Sequence, residues 1–414
     1  MHGTRNSSRR RTALRAAPSL AALLVVLVLS AGAVASTSPL SGIWSHVGTG
    51  GTASKPSLNG AVYALNTDDP GVLFAGGSFT SAGGHATAAY LARWNGTKWS
   101  AVGSPRLKGA VHAIAYHAGK VYAGGVFTNA GGNPDLDFVA VWNGHKWGRV
   151  CNSTVPGPLV SGNVNALQII GSTLYIGGSF ANGAGIASAD YLLACNLTTG
   201  VASSTMLNDG DFSGSVYALA AESNGTLYAG GGFTNLGKVP GADDVAAYSN
   251  GSWHALGTGP GPNGGSIDDF VRSLMAVGTN LYVGTDANDV GGIAQADHVA
   301  RWNGTSWRAL GANKAGSNGW FPSTAFIYGL AHYRSYIFAT GSFQNAGSNS
   351  HADNIAFFDG VKWRPLGAKG TNGPWIGYGL ALATISRKLY AGGNFTSAGN
   401  DTKAVGIAST PLHR

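Results

Sequence analysis

Glutamate is nearly absent from this chain: Glu222 stands alone beside 17 aspartates. Long helices laced with Glu–Lys pairs are therefore excluded. A glycosidase working through two glutamates is excluded as well, and no spacing argues for an aspartate pair in its place. The eleven histidines contain no His-Glu-x-x-His and no other tight pair suited to zinc. None of the glycine pairs opens a helix or precedes the Lys-Ser/Thr of a phosphate loop. Charged residues make up only 11% of the chain, and no Lys/Arg run occurs among them. Nucleic acid and anionic membranes thus have no electrostatic reason to bind. Beyond residue 35 there is no second hydrophobic span, and no Pro-rich, Ser-rich or charged linker divides the rest.

The first 35 residues differ in character from the remainder of the chain. Arg5, Arg9, Arg10, Arg11 and Arg15 precede an apolar run from about Leu20, and Ala33, Val34 and Ala35 form a small-residue exit. This is the layout of a secretory signal, and the uncharged stretch from Pro18 to Ala35 is short for a spanning helix. The expectation is a signal peptide over residues 1–35, cleavage after Ala35, and one secreted, extracellular domain over 36–414. Removing five of the 26 basic residues leaves 21 against 18 acids, a net charge of +3 in place of +8. The basic character of the whole chain thus resides mostly in its leader.

What the chain has in abundance is glycine, 65 residues, arranged in a repeat. Leu73 to Thr80 is echoed at Val121, Leu174, Leu227, Leu281, Ile337 and Leu389. The first residue of the glycine pair falls at Gly76, Gly124, Gly177, Gly230, Gly284, Thr340 and Gly392, separated by 48, 53, 53, 54, 56 and 52 residues. That period suits a four-stranded blade. The first unit supplies four short apolar pieces at Ala61–Leu65, Val72–Phe79, Tyr90–Trp94 and Lys98–Val102. Asn95-Gly96 lies between the third and fourth, and Asn143-Gly144, Asn250-Gly251, Asn303-Gly304 and Asp359-Gly360 repeat it as turn signals. The seventh unit stops at Ile407–Thr410 without a closing Trp-x-x-Val/Leu-Gly strand, and Trp44 to Gly48 carries that pattern. The reading is an all-β, seven-bladed β-propeller whose mature N-terminal strand completes the last blade, leaving no free sheet edge.

The glycine doublet ending a second strand, an aromatic on the third and a Trp on the fourth resemble kelch repeats. The pattern from Phe74 to Trp99 is similar to that of kelch-like repeats in secreted bacterial proteins and in fungal cortical polarity markers. The likeness covers residues 42 to 410 and implies the fold; propellers host unrelated activities, so it implies no particular chemistry. Two units depart from it: the fifth reads Gly284-Thr285-Asp286-Ala287 and the sixth Thr340-Gly341. The third replaces its Trp and Asn-Gly segment by Cys195 to Gly200.

Cys151 aligns with Gly103, and Cys195 with Trp94 one blade further on. A disulfide between them is expected, two buried thiols being the alternative. Asp137, Asp190, Asp243, Asp297 and Asp353 each precede a third strand and are expected to accept hydrogen bonds from loop amides. Asp286, Asn288 and Asp289 form the densest acidic stretch, yet no loop has calcium-binding spacing, and neither a metal nor another cofactor is expected. The Trp series Trp99, Trp147, Trp253, Trp307 and Trp363 reads as inter-blade packing.

On the first strand a small residue recurs at Ala64, Ala113, Ala166, Ala218, Ser273, Gly329 and Gly379. The position before it varies freely: Tyr63, His112, Asn165, Tyr217, Arg272, Tyr328 and Tyr378. This mixed ring should sit at one mouth of the central channel, on the face that also receives the longer loops. Trp320 and Trp375 lie in those loops outside the repeat, either as a platform for a sugar ring or peptide or as loop anchors. These nine residues are the candidate ligand-binding set. The expected function is an extracellular binding or scaffold protein, a monomer that presents its loop-rich face to a glycan, peptide or wall-associated partner. No catalytic constellation is evident; the alternative is an enzyme on the same scaffold, a hydrolase, a lyase or a copper-radical oxidase.

Overall fold

A computed structural model describes residues 40–412 apart from 41, 51, 53, 68–70, 205–212 and 369–371. The expected signal segment lies outside the described residues. Seven four-stranded antiparallel sheets succeed one another around a central axis, and the chain is a seven-bladed β-propeller. Blade one runs through Val62–Asn66, Leu73–Gly77, Leu91–Trp94 and Trp99–Ala101, each within two residues of the piece read from the sequence. Blades two to six begin at Val111, Asn163, Val216, Val271 and Phe326. Blade seven contains Trp375–Ile385, Lys388–Ala398, Ile407–Pro411 and, from the other end of the chain, Ser45–His46. Apart from these strands the regular structure consists of three-residue 3₁₀ turns; among the described residues no helix is long and apolar enough to cross a membrane.

The second strand of each blade lies between two neighbouring blades, which is why it reads as an unbroken apolar or small-residue run. All five residues of Leu73–Gly77 are buried. A Cβ added to Gly76 would lie 2.7 Å from Val111 of the next blade, and one on Gly177 would lie 2.6 Å from Val216. Gly392 closes the circle, its missing Cβ leaving room for Val62. The first glycine of the pair is thus a socket, and the β-branched residue opening the neighbour's inner strand is the knob. Thr340 breaks the rule and its surroundings compensate. It pairs across the strand with Gly329 and its hydroxyl donates to Asn354 O at 2.7 Å. In the next blade Gly379 stands where the valine would be, opposite Gly393 as Val62 is opposite Gly77, and a Cβ on it would meet Thr340 Cβ at 2.9 Å.

A second set of contacts runs along the outer rim. The indole N–H groups of Trp99, Trp147, Trp307 and Trp44 donate to the carbonyls of Val47, Pro105, Leu256 and Leu366 in the preceding blade, at 2.7, 3.0, 2.6 and 3.0 Å. Gly103 and Gly367 lie against the indoles of Trp147 and Trp44, and Gly48 against that of Trp94 with Trp99 beside it, all three in the left-handed region (φ 86, 90 and 77°), where a side chain would collide with the ring. This explains the Trp-x-x-Val/Leu-Gly pattern: the carbonyl accepts, and the glycine makes room for the ring. Blade three lacks the tryptophan. There Cys151, in the glycine's place, and Cys195, in that of Trp94, are joined by a disulfide with Cα atoms 5.8 Å apart. A covalent link replaces the indole contact at this one boundary.

Closure uses the same means. Ser45 pairs with Ser409 and His46 with Ala408, antiparallel, and Leu40 bridges Leu412. The Asp401 carboxylate holds the strand in register, accepting His46 N–H at 2.9 Å and lying 2.6 Å from His46 Nδ1. Trp44, 4% exposed, packs edge-on against Trp375 with centroids 4.9 Å apart.

Trp44→Ala should therefore cost about 3–5 kcal/mol, the range for a buried Trp, seen as a large fall in melting temperature. Ile43→Ala, at a side chain 68% exposed, should leave melting nearly unchanged. Non-reducing mass spectrometry should find Cys151 and Cys195 linked. Replacing both by Ala should cost about 2–4 kcal/mol; recovery of two freely alkylated thiols from native protein would rule the covalent link out.

Candidate binding site

Six of the seven variable first-strand residues share one backbone feature. In blade one Val62 faces Gly77 and Ala64 faces Gly76, so Tyr63 is left unpaired as a β-bulge. His112, Asn165, Tyr217, Arg272 and Tyr328 occupy the same bulge in blades two to six. A bulge frees a side chain from the ladder and re-aims it, which is why packing leaves this position free to vary. Blade seven differs: Tyr378 pairs directly with Asn394, and the bulge opposite the glycine pair is held by Leu380, between Gly379 and Ala381, so Tyr378 lies two positions before it.

The structure brings most of this ring into mutual contact. Tyr63 meets His112 edge-on with centroids 5.2 Å apart, and its hydroxyl donates to Ser78 Oγ at 3.1 Å. Burial lowers the His112 pKa from its ordinary value. Asn165 Nδ2 donates to Val216 O, tying blade three to blade four. Tyr328 lies 6.1 Å from Tyr378, centroid to centroid.

Blade five, where the repeat is most altered, supplies the charge. Arg272 Nε and a terminal guanidinium nitrogen donate to Asp286 Oδ2 at 2.9 and 2.6 Å, and the carboxylate side chain is 4% exposed. Burial works against the Arg272 charge, but the hydrogen bonds and charge of Asp286 outweigh it and raise the pKa. Asp286, the densest acidic stretch's first residue, is thus committed to an arginine. The guanidinium carbon stands 5.0 Å from the centroid of Phe270 and 5.5 Å from that of Tyr217. Phe270 and Phe326, 40% and 39% exposed, join the group, Phe326 stacking almost parallel to Tyr328 at 6.3 Å. Sequence reasoning missed both phenylalanines. They lie two positions before Arg272 and Tyr328, where strand alternation puts them on the same side, and only the ring contacts show that they share the mouth.

Beside Tyr378 the same face opens into a groove of about 620 Å³ between blades six and seven, lined by Thr324, Ser342, Gln344, Asn354, Asn372 and Tyr378. Trp375 backs it but is only 3% exposed, stacked on Phe395 at 4.9 Å. Trp320 is half-buried and stacks on Trp363 at 6.0 Å. Both loop tryptophans therefore anchor their loops, and the exposed rings of this face are Phe270, Phe326 and Tyr378.

No family model matches the chain, and no curated protein matches it. Solved structures do. The extracellular domain of BT4673 from B. thetaiotaomicron superposes with a TM-score of 0.51 at 12% identity, over 89% of this chain and 39% of that one. YCF48 from Cyanidioschyzon merolae gives 0.50 at 11% identity, over 89% and 98%. At such identities the likeness shows the fold alone.

The loops that carry the face are set by aspartates. Asp137, Asp190, Asp243, Asp297 and Asp353 each accept the N–H of the residue eight positions earlier, at 2.6–3.0 Å. That donor lies in the left-handed region every time, from Asn129 (φ 52°) to Asn345 (φ 51°). Asp297 and Asp353 also accept Gly319 and Gly373 N–H with their second oxygens. Among the described residues no three His, Cys, Asp or Glu side chains converge as a metal site would need.

The residue after each aspartate also has positive φ: Phe138, Tyr191, Asp244, His298 and Asn354. Asp244 is 7% exposed. Burial first, then Asp243 and, further off, Asp269 and Asp268, push its carboxyl up to about 8 against an opposing hydrogen bond from Phe233. The folded chain therefore keeps a proton that the unfolded chain releases between about pH 4 and 8, and this group's contribution to stability declines as pH rises through that window. Asp401 behaves oppositely: burial would raise its pKa, but the His46 hydrogen bonds lower it, and its contribution is lost as pH falls below the ordinary carboxylate range. Asp244→Asn, which copies Asn354 at the same place in blade six, should flatten the loss of stability between pH 5 and 8. At pH 8 it should be more stable than the parent by on the order of a few kcal/mol, read from melting curves across pH. Parallel curves for the two proteins would show that Asp244 is ionised at no cost.

Proposed function

We propose that this chain is a secreted, kelch-like propeller that binds an extracellular glycan, peptide or wall-associated partner through its loop-rich face. The observation that carries this reading is where the repeat is broken. Positions needed for packing recur from blade to blade, whereas Phe270, Arg272, Asp286, Phe326 and Tyr378 depart from the pattern and gather at one mouth of the channel. Exposed aromatic rings around a buried ion pair combine apolar contact area with fixed direction, as recognition sites do. Support for export comes from the Arg-rich, apolar, small-residue order of residues 1–35 and from the disulfide, a bond that persists in oxidising compartments. The same fold also serves in the extracellular domain of BT4673.

The protein recovered from culture medium should begin at Ser36 by mass spectrometry. Labelled protein applied to glycan and peptide arrays should bind a defined subset of spots. Phe270→Ala with Phe326→Ala should reduce that signal about tenfold, the scale of lost aromatic contacts, with melting unchanged. His117→Ala with Val361→Ala, on the opposite face, should leave the signal intact. The reverse outcome would move the site to the other end of the channel.

A further inference from the structure

We propose that the groove between blades six and seven takes a neutral, polyhydroxylated glycan chain, which runs from the groove over Tyr378 onto Tyr328 and Phe326. This rests on reading the loop-rich face as the binding surface, and it names the class of ligand. The groove is lined by polar groups with bonds to spare. The side chains of Thr324, Ser342, Gln344 and Asn372 make no hydrogen bond to other described residues, and three of the four are exposed. Asn354 Oδ1 accepts Phe343 N–H at 3.3 Å, leaving its amide NH₂ to point elsewhere. Hydroxyls and carboxamides both donate and accept, as do the hydroxyls of a sugar, so each side chain here can serve two bonds to such a ligand.

Charge points to a neutral ligand. The one carboxylate lining the groove among the described residues, Asp353, has both oxygens occupied by the N–H groups of Asn345 and Gly373. Arg272, at the mouth, is bound to Asp286, and no Lys or Arg is among the described residues that line the groove. Among these described lining residues an anionic polymer finds no free counter-charge, and neither do the charged side chains or termini of a peptide. A run of rings then extends the groove across the face. Tyr378, 36% exposed, and Phe326, 39% exposed, flank Tyr328 at 6.1 and 6.3 Å. Their faces offer apolar area to the C–H face of a sugar, and the Tyr378 hydroxyl, 3.5 Å from Asn394 Nδ2, has a proton to donate.

The test is a calorimetric titration of the secreted protein with soluble xylan, mixed-linkage β-glucan, galactomannan and amylose, with polygalacturonate as the anionic counterpart and a peptide array alongside. At least one neutral polysaccharide should bind. Gln344→Ala with Asn372→Ala should weaken it about tenfold, as should Tyr378→Ala alone, while polygalacturonate gives no heat. All three substituted residues are exposed surface positions, and unchanged melting confirms the fold. A neutral glycan held equally well by both variants would overturn the groove assignment. Binding only of polygalacturonate, or only of peptides, with loss in the same variants would overturn the neutral-glycan class and leave the face standing. Binding of no polysaccharide would end the glycan proposal, and the Phe270/Phe326 array result then decides separately whether the face falls with it.

Discussion

The ring depends on an atom that is missing. At the end of the second strand in six of the seven blades a glycine without a Cβ lets the inner strand of the next blade come within contact distance, and Val62, Val111, Val164, Val216, Val271 or Ile327 fills the gap. Interiors pack to crystal-like density, so a single added methyl at this point would push two whole sheets apart. The exception at Thr340 shows the strength of the constraint. A side chain is admitted there only because Gly329 and Gly379 have given up theirs. Volume is conserved across the boundary although every residue has changed.

With the inner contact fixed, the outer rim needs only a directional latch, and the indole N–H to carbonyl bond supplies it. Burying an indole stabilises by apolar area, while its N–H must find an acceptor; the carbonyl of the preceding blade meets that need and sets the angle between blades. Blade three has no indole, and a disulfide stands in for the latch. Blade seven has no fourth strand of its own, and the N-terminal segment brings both strand and indole. Closure by two distant parts of the chain links loss of either end to loss of the whole ring.

A scaffold held by sockets and latches leaves the first-strand bulge with no packing duty. That freedom is used unevenly. Blades one to three place Tyr63, His112 and Asn165 there, each engaged with a neighbour. From blade four to blade seven the mouth becomes aromatic and carries a buried ion pair, and the adjoining groove presents unpaired amides and hydroxyls. The asymmetry of chemistry on a nearly symmetric frame is what gives one side of the face its character.

The sequence alone determined the number of blades, their four strands, the closing segment and the aspartate-fixed loops, because these arise from local patterns that repeat at a fixed period. It also singled out the variable bulge position from Tyr63 to Tyr328 in blades one to six, but in blade seven its alignment was two residues off, since Leu380 and not Tyr378 holds the bulge. The tertiary structure decided what proximity decides. It paired Arg272 with Asp286, 14 residues along the chain, and took Asp286 out of any metal site. It brought Phe270 against Arg272 and Phe326 against Tyr328 at the mouth, contacts that the residue types at those positions do not announce. Trp375 went into the core of the closing blade, against Trp44 from the opposite end of the chain, because an aromatic's exposure depends on which distant ring covers it.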